Sequence, residues 1–354
     1  MFSSAVSVVV SFALWGAWGQ IGPQEKVAWD RLAPSLVTLM DGGSPRGIAV
    51  LIDSKGFFVA HKENVPAGTI RGVDVTGASI LFHLQSTDDP SQLVLLRAEK
   101  WTSRAAPIEA ADAQVRRGDR LIAGLGSGPI RAEFVSGDRI GVLSPSRRVV
   151  QLNEIRFEAP LSTVAGALVF TLDGRLVGSL NATLEQIDEA EQAPVGNGLA
   201  RAFGGASQDK LRFGPAPMTV AYTVGPIALR RVFEGFRSPS HEVVYPSLGV
   251  FCRDADGKGA IVEMVQAGSP AHVAGIRPSD VIFELNGDPV RNQIDFARVV
   301  FEQEVGKVVS MRVRRGATTV LMMVRVGRTA PDSIDEHSGI TLPVAAARVA
   351  IVGR

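Results

Sequence analysis

At 354 residues, 45% of them apolar and 21% charged, the chain is long enough for roughly two globular domains with real cores. Its 37 Lys+Arg against 36 Asp+Glu leave a formal charge of +1, which excludes the broad basic footprint of a nucleic-acid binder and any strong bias toward an acidic partner. Cys252 is the single cysteine, so no internal disulfide can form and stability must come from packing.

Residues 1–19 carry no charged side chain, the first being Glu25, and are apolar from Ala5 to Trp18 except for serines and a glycine. This reads as a secretory signal, with small residues Ala17 and Gly19 placed as a signal peptidase needs them. An uncleaved anchor is the alternative, and membrane contact is expected only in that case. A short helix is expected around Val27 to Leu32, followed by a strand over Ser35 to Leu39. Two apolar runs, Gly47 to Ile52 and Gly56 to Ala60, are joined by Asp53-Ser54-Lys55-Gly56, a hairpin with a clear turn. Further short strands are expected at Ser79 to Leu84, Leu93 to Arg97, Arg120 to Gly124 and Arg139 to Leu143. Dense short strands without long helical patterns argue for an all-β barrel or sandwich.

The stretch Ile155 to Gly178 contains a second legible hairpin: Ala167 to Leu172 is apolar, Asp173-Gly174 turns, and Arg175 to Gly178 returns. Its spacing resembles the nucleophile strand of the HtrA branch of trypsin-like serine proteases. The resemblance extends to Gly47 to Val65, to Asp89-Pro90-Ser91-Gln92-Leu93-Val94-Leu95-Leu96, to Ile140 to Ser144 and to Thr219 to Val250. It implies a trypsin-like double β-barrel over 28–240, with residues 183–217 as an insertion. Carried over position by position, Glu63 stands for the catalytic histidine, Gln92 for the aspartate, and Ala165 or Gly166 for the serine. His61 lies two residues from Glu63, ~6–7 Å along an extended strand and on the same face.

A triad needs a nucleophile, a base and an orienting carboxylate, and losing it costs on the order of 10⁶ in turnover. The resemblance therefore implies a pseudoprotease, not an enzyme, with no catalytic residue. An active endopeptidase with a displaced set, drawing on Ser162, Thr163, His61 or His83, is the alternative. Neither a metal site on His61, Glu63 and His83 nor a reactive Cys252 is favoured by the spacing, and no cofactor is implied.

From about Tyr245 the punctuation is plain. Strands are expected over Ser247 to Phe251 and Gly259 to Val265, then a short helix with Ser269 as N-cap, Pro270 in its first turn and Gly275 ending it. Val281 to Leu285 leads into the tight turn Asn286-Gly287, a helix follows from Asn292 to Glu304, and strands Lys307 to Arg314 and Thr318 to Val326 close the domain. This order resembles the PDZ domain of HtrA proteins over 245–328, leaving a tail, 329–354. The resemblance implies that Leu248, Gly249 and Val250 receive a peptide's terminal carboxylate, with Phe296, Val299 and Val300 lining the pocket for its last side chain. Those residues equally suit a hydrophobic core. The whole reading is thus mainly β: a secreted or periplasmic protein of envelope quality control. Its expected partners are peptides or protein C-termini, with a homo-oligomer or a hetero-oligomer with an active HtrA-type protease as further partners and no nucleic acid.

Overall fold

The computed structural model describes residues 21–111, 115–143, 148–181, 185–186 and 219–329. The N-terminal segment 1–19, most of the insertion 183–217 and the tail beyond Thr329 lie outside these residues. Among the described residues no helix is long and apolar enough to cross a membrane. The chain divides into two compact units, one holding Met1–Gly141 and Gln151–Val243, the other Val142–Val150 and Val244–Arg354.

The first unit opens with α1 (Pro23–Leu32) and a closed barrel. Its strands are β1 (Leu36–Asp41), β2 (Ser44–Asp53), β3 (Phe57–His61), β4 (Ile70–Asp74), β5 (Ser79–Asp88) and β6 (Leu93–Ala98), in the order β1-β2-β3-β6-β5-β4. The β2–β3 turn is the one the sequence announces. Inward residues such as Val37, Leu51 and Leu96 are fully buried, and Phe58 fixes the packing by edge-on contacts to Phe82 at 5.2 Å and Trp101 at 4.9 Å. β4 was not expected from the sequence. It is short and carries Gly72 at its centre, where a Cβ would stand 2.4 Å from Val37 Cγ1, so close strand packing leaves no room for the side chain that would have signalled a strand.

The second barrel comprises β7 (Arg120–Leu125), β8 (Gly128–Leu143), β9 (Arg148–Phe157), α2 (Leu161–Val164), β10 (Leu168–Thr171), β11 (Leu176–Ser179), β12 (Glu185–Gln186) and β13 (Thr219–Val224). Strand order is β11-β10-β7-β8-β9-β13, with β12 on β8, and an antiparallel bridge between Asn181 and Tyr222 joins the two edges. Leu121, Phe134, Ile155, Val164 and Val169 fill its interior. Helix α3 (Pro226–Arg237) buries Leu229, Val232, Phe233 and Phe236. It ends on Arg237, which donates to Ile52 O at 2.8 and 3.0 Å and grips Glu109 at 2.6 and 2.9 Å.

The second unit has β14 (Pro246–Ser247), β15 (Val250–Asp254), β16 (Ala260–Val265), α4 (Pro270–Val273), β17 (Val281–Leu285), β18 (Asp288–Pro289), α5 (Gln293–Glu302), β19 (Val308–Arg315), β20 (Thr318–Arg325) and β21 (Gly327–Arg328). Its main sheet runs β15-β16-β17-β19-β20, so β15 and β20 are the edges. The expected caps are real: Ser269 Oγ accepts from His272 N at 3.2 Å and Asn292 Oδ1 from Asp295 N at 2.8 Å. Asn286 and Gly287 both take positive φ, 52° and 91°, as the tight β17–β18 turn requires. Cys252 lies in this unit's core, and burial, aided by the Glu263 charge, pushes its thiol up to about 12.

Candidate functional site

The two barrels of the first unit meet along a seam kept narrow by glycines. A Cβ on Gly126 would lie 2.8 Å from Gly47 N, and one on Gly47 would lie 2.2 Å from Asn64 Nδ2, so both positions admit only hydrogen. Across this seam Asn64 Nδ2 donates to Gly166 O at 2.9 Å, a buried bond between the end of β3 and the loop after α2. Gly166 has φ +76°, and a Cβ there would sit 3.0–3.1 Å from the Asn64 amide and His61 Nδ1. His61, Asn64 and Gly166 therefore converge on one point.

The placement of each expected position follows from local geometry. The chain leaves β3 through a 3₁₀ turn, Lys62–Asn64, rather than continuing extended. In such a turn residues three apart eclipse, so His61 and Asn64 share the inward side and Glu63 is exposed. Gln92 lies beside this turn through its backbone, Lys62 N donating to Gln92 O at 2.8 Å, while its side-chain amide folds onto Asp89 O. Its φ of 57° makes it a left-handed turn residue. Ala165 closes the helical turn of α2, its N bonding Leu161 O at 3.0 Å, and Gly166 is the residue turned to the seam. Ser162 and Thr163 are exposed on α2, four and three positions before Gly166. His83 stands on β5, 3.0 Å from Glu99, both half-exposed.

His61 is 2% exposed. Its Nδ1 accepts from Glu63 N at 3.3 Å, which places the proton on Nε2, and Nε2 has no hydrogen-bond partner among the described residues. Burial lowers the imidazole pKa, with the nearby Glu63 charge opposing, so the ring is neutral at pH 7. The ring is neutral, as a general base must be, but its lone pair on Nδ1 is taken by the Glu63 N–H, so it can accept a proton only after that bond is released. A backbone N–H in place of an orienting carboxylate, however, gives no stabilisation to the imidazolium that proton transfer creates.

In the second unit Gly249 occupies the loop between β14 and β15 with φ +70°, its Cβ position 2.3 Å from Ser269 Cβ. Its carbonyl accepts from Gln266 N at 2.9 Å, and Leu248 O accepts from Ala271 N at 3.0 Å. These bonds tie the loop to α4. Leu248, Phe296 and Val299 are buried in the core, whereas Val250 and Val300 pack partly exposed at its margin. β15 is an edge strand and α5 packs against it.

A pair of barrels with a histidine on their seam, followed by a small sheet with a helix along its edge strand, defines a trypsin-type body with a PDZ domain. Residues 246–326 match the family model for the PDZ domain. The chain is 26% identical over 306 residues to the probable periplasmic serine endoprotease DegP-like of Rhizobium meliloti (strain 1021), covering 84% of this chain and 56% of that one. It is 42% identical over 77 residues to the serine protease Do-like HtrB of Bacillus subtilis (strain 168), 21% of this chain and 17% of that one. Among solved structures, HtrA-type protease AlgW with decapeptide superposes with TM-score 0.60 at 16% identity, over 87% of this chain and 99% of that one. The serine endoprotease from Yersinia pestis gives TM-score 0.53 at 16% identity, over 88% and 100%. The chain is thus HtrA/DegP-like, a mainly β serine-protease scaffold with a PDZ domain, and it spans a little over half the length of the Rhizobium relative.

These relatives correct one expectation of the sequence. The chain was expected not to be an enzyme, yet the relative that aligns over 84% of it is named a serine endoprotease. The physical weakness of that expectation is visible at the seam: it rested on Glu63, Gln92 and Ala165 or Gly166, and of these Gly166 alone meets His61 and Asn64 there, so a histidine does stand at the seam although Glu63 does not.

Proposed function

We propose that the chain is an HtrA-type serine endopeptidase of the cell envelope with an atypical catalytic set, and that its PDZ domain captures peptide termini. The observation that carries the first part is His61, a buried neutral base turned onto the loop of Gly166 at the seam between two barrels. The relative's name, periplasmic serine endoprotease, supports the activity and the compartment. In this reading His61 Nδ1 is the base once the Glu63 N–H releases it, and a hydroxyl of α2, Ser162 or Thr163, is the nucleophile whose proton it takes. Without a carboxylate behind the imidazole, turnover should be about 10⁴-fold below that of an intact triad.

Unfolded casein, assayed over hours, should be cleaved by the wild-type chain. His61→Ala should abolish cleavage, and Ser162→Ala or Thr163→Ala should identify the hydroxyl. The pH profile should rise on the acid side at a midpoint below the usual histidine value of 6.5, because the neutral ring is the active form. No cleavage above the His61→Ala blank overturns the reading.

Peptide capture rests on the Gly249 loop and on β15 as an open strand edge. A decapeptide with an aliphatic C-terminus should bind at least tenfold tighter as the free carboxylate than as its C-terminal amide, a difference of about 1.4 kcal/mol. Equal binding of the two by calorimetry would place recognition elsewhere.

A further inference from the structure

The hairpin β19–β20 forms the edge of the second unit's sheet opposite β15. Its register opposes Val308 to Arg325, Ser310 to Met323, Arg312 to Leu321 and Arg314 to Thr319, and directly opposed residues share one face. The alternate residues, Val309, Met311, Val313 and Val324, are fully buried and form the core side. The outer side is left with three large apolar residues, Leu321 at 60%, Met323 at 59% and Val308 at 47% exposure. Interleaved with them are Arg312, Arg314 and Arg325.

Solvation alone does not explain this composition. From Val305 to Thr329 the sequence has five arginines and a lysine and no acidic residue, in a chain whose total charge is nearly balanced. One carboxylate reaches the face from the neighbouring strand, Glu284, 3.4 Å from Arg312, and Arg325 also donates to Gly306 O at 2.7 Å. An edge strand with outward Leu and Met ordinarily invites pairing with another edge. A second copy would set its own three arginines against these and bring only its own Glu284, already paired with Arg312, so the joined face would stay strongly positive. Nucleic acid would satisfy the arginines and leave Leu321 and Met323 in water. An anionic bilayer surface satisfies both, since aliphatic side chains enter the headgroup layer while guanidinium groups remain among the phosphates.

We propose that the outer face of the β19–β20 hairpin docks on an anionic lipid surface, with Leu321, Met323 and Val308 entering the headgroup layer and Arg312, Arg314 and Arg325 pairing with lipid phosphates. The contact is independent of the N-terminal apolar segment and lies on the sheet edge away from β15.

The test uses the full chain with Met323→Cys carrying an environment-sensitive fluorophore, since buried Cys252 does not compete for label in the native protein. Vesicles of phosphatidylcholine with 30% phosphatidylglycerol, a content chosen at roughly the anionic level of natural leaflets, should shift its emission to the blue. Pure phosphatidylcholine vesicles should not, and a fluorophore at Val75→Cys on the first unit should stay unshifted. Replacing Arg312, Arg314 and Arg325 together by Gln should raise the lipid needed for half-saturation about a hundredfold. Raising salt from roughly 50 to 500 mM should release the unmutated face, which keeps the test decisive if the triple variant folds poorly. An equal shift on neutral vesicles, indifference to both the arginines and salt, a lipid-free shift that grows with protein concentration, or a shift with single-stranded DNA alone would each overturn the proposal.

Discussion

Arg315→Ala should destabilise the second unit by about 3–5 kcal/mol at pH 7, because it strips the bidentate partner from a buried carboxylate and leaves it only the more distant Arg277 charge and the Arg277 backbone N–H. Asp280 is 1% exposed, and Arg315 holds both its oxygens, Nε to Oδ1 at 2.8 Å and Nη2 to Oδ2 at 2.7 Å. The same guanidinium donates to Gly275 O at 2.8 Å, tying the end of α4 to β19. Burial pushes the Asp280 carboxyl up, but the Arg315 hydrogen bonds, the Arg277 backbone N–H and the charges of both arginines outweigh it and hold the pKa below the ordinary value. A depressed carboxylate pKa gives stability that is present above the unfolded value of 3.8 and is lost as pH falls through the folded one. In Arg315→Ala burial acts unopposed by that charge, so the gap between wild type and variant should narrow on acidification. The measurement can be confined to the right unit, because Cys252 is buried there and becomes reactive only when its core opens. Thiol labelling across a urea series should show an earlier midpoint in the variant. Pairing Arg315→Met with Asp280→Leu should recover much of the loss, and failure to do so would mean that packing rather than charge is at stake.

That ion pair was not legible in the sequence, although the elements carrying it were. Val281 to Leu285 and the β19 strand announce themselves by β-branched runs between turn residues, and Ser269 and Asn292 by cap chemistry, because these signals act over four residues or fewer. Asp280 and Arg315 are 35 positions apart, and one-dimensional pattern carries no information about which arginine meets which acid. The seam failed for a different reason. Treating the residues after Ala60 as extended puts His61 and Glu63 on one face with period two, whereas the 3₁₀ turn imposes period three and selects His61 with Asn64. Two glycines could have signalled it: Gly47 and Gly166 are the residues whose missing side chains admit the Asn64 amide. In the second unit the Gly249 loop was legible because its left-handed conformation needs glycine, but burial divides the other peptide-contact candidates. Leu248, Phe296 and Val299 serve the core whatever else they do, and Val250 and Val300 stay partly exposed at its margin.

Gly166→Ala should cost the first unit about 2–4 kcal/mol and should do so chiefly through Asn64. One part of the cost is conformational: at φ +76° an L side chain is strained by about 1–2 kcal/mol. The rest is steric, since the new Cβ would lie 3.0–3.1 Å from Asn64 Oδ1 and Nδ2 and from His61 Nδ1. The Asn64 amide cannot retreat freely, because the Gly47 backbone is behind it and its 2.9 Å bond to Gly166 O spans the seam. Asn64→Ala alone should cost about 1–3 kcal/mol by leaving that buried carbonyl unpaired. In the double variant the bond is already gone and the methyl enters vacated space, so the two losses should sum to more than the measured total by about 0.5–2 kcal/mol. Trp29 of α1 packs on Phe170 of the second barrel and Trp101 packs on Phe58 of the first, so their fluorescence follows the unfolding of this unit. Strict additivity of the two variants would remove the Asn64–Gly166 contact as the link between the barrels. His61 would then rest against the loop by chance of packing rather than by the construction of the seam.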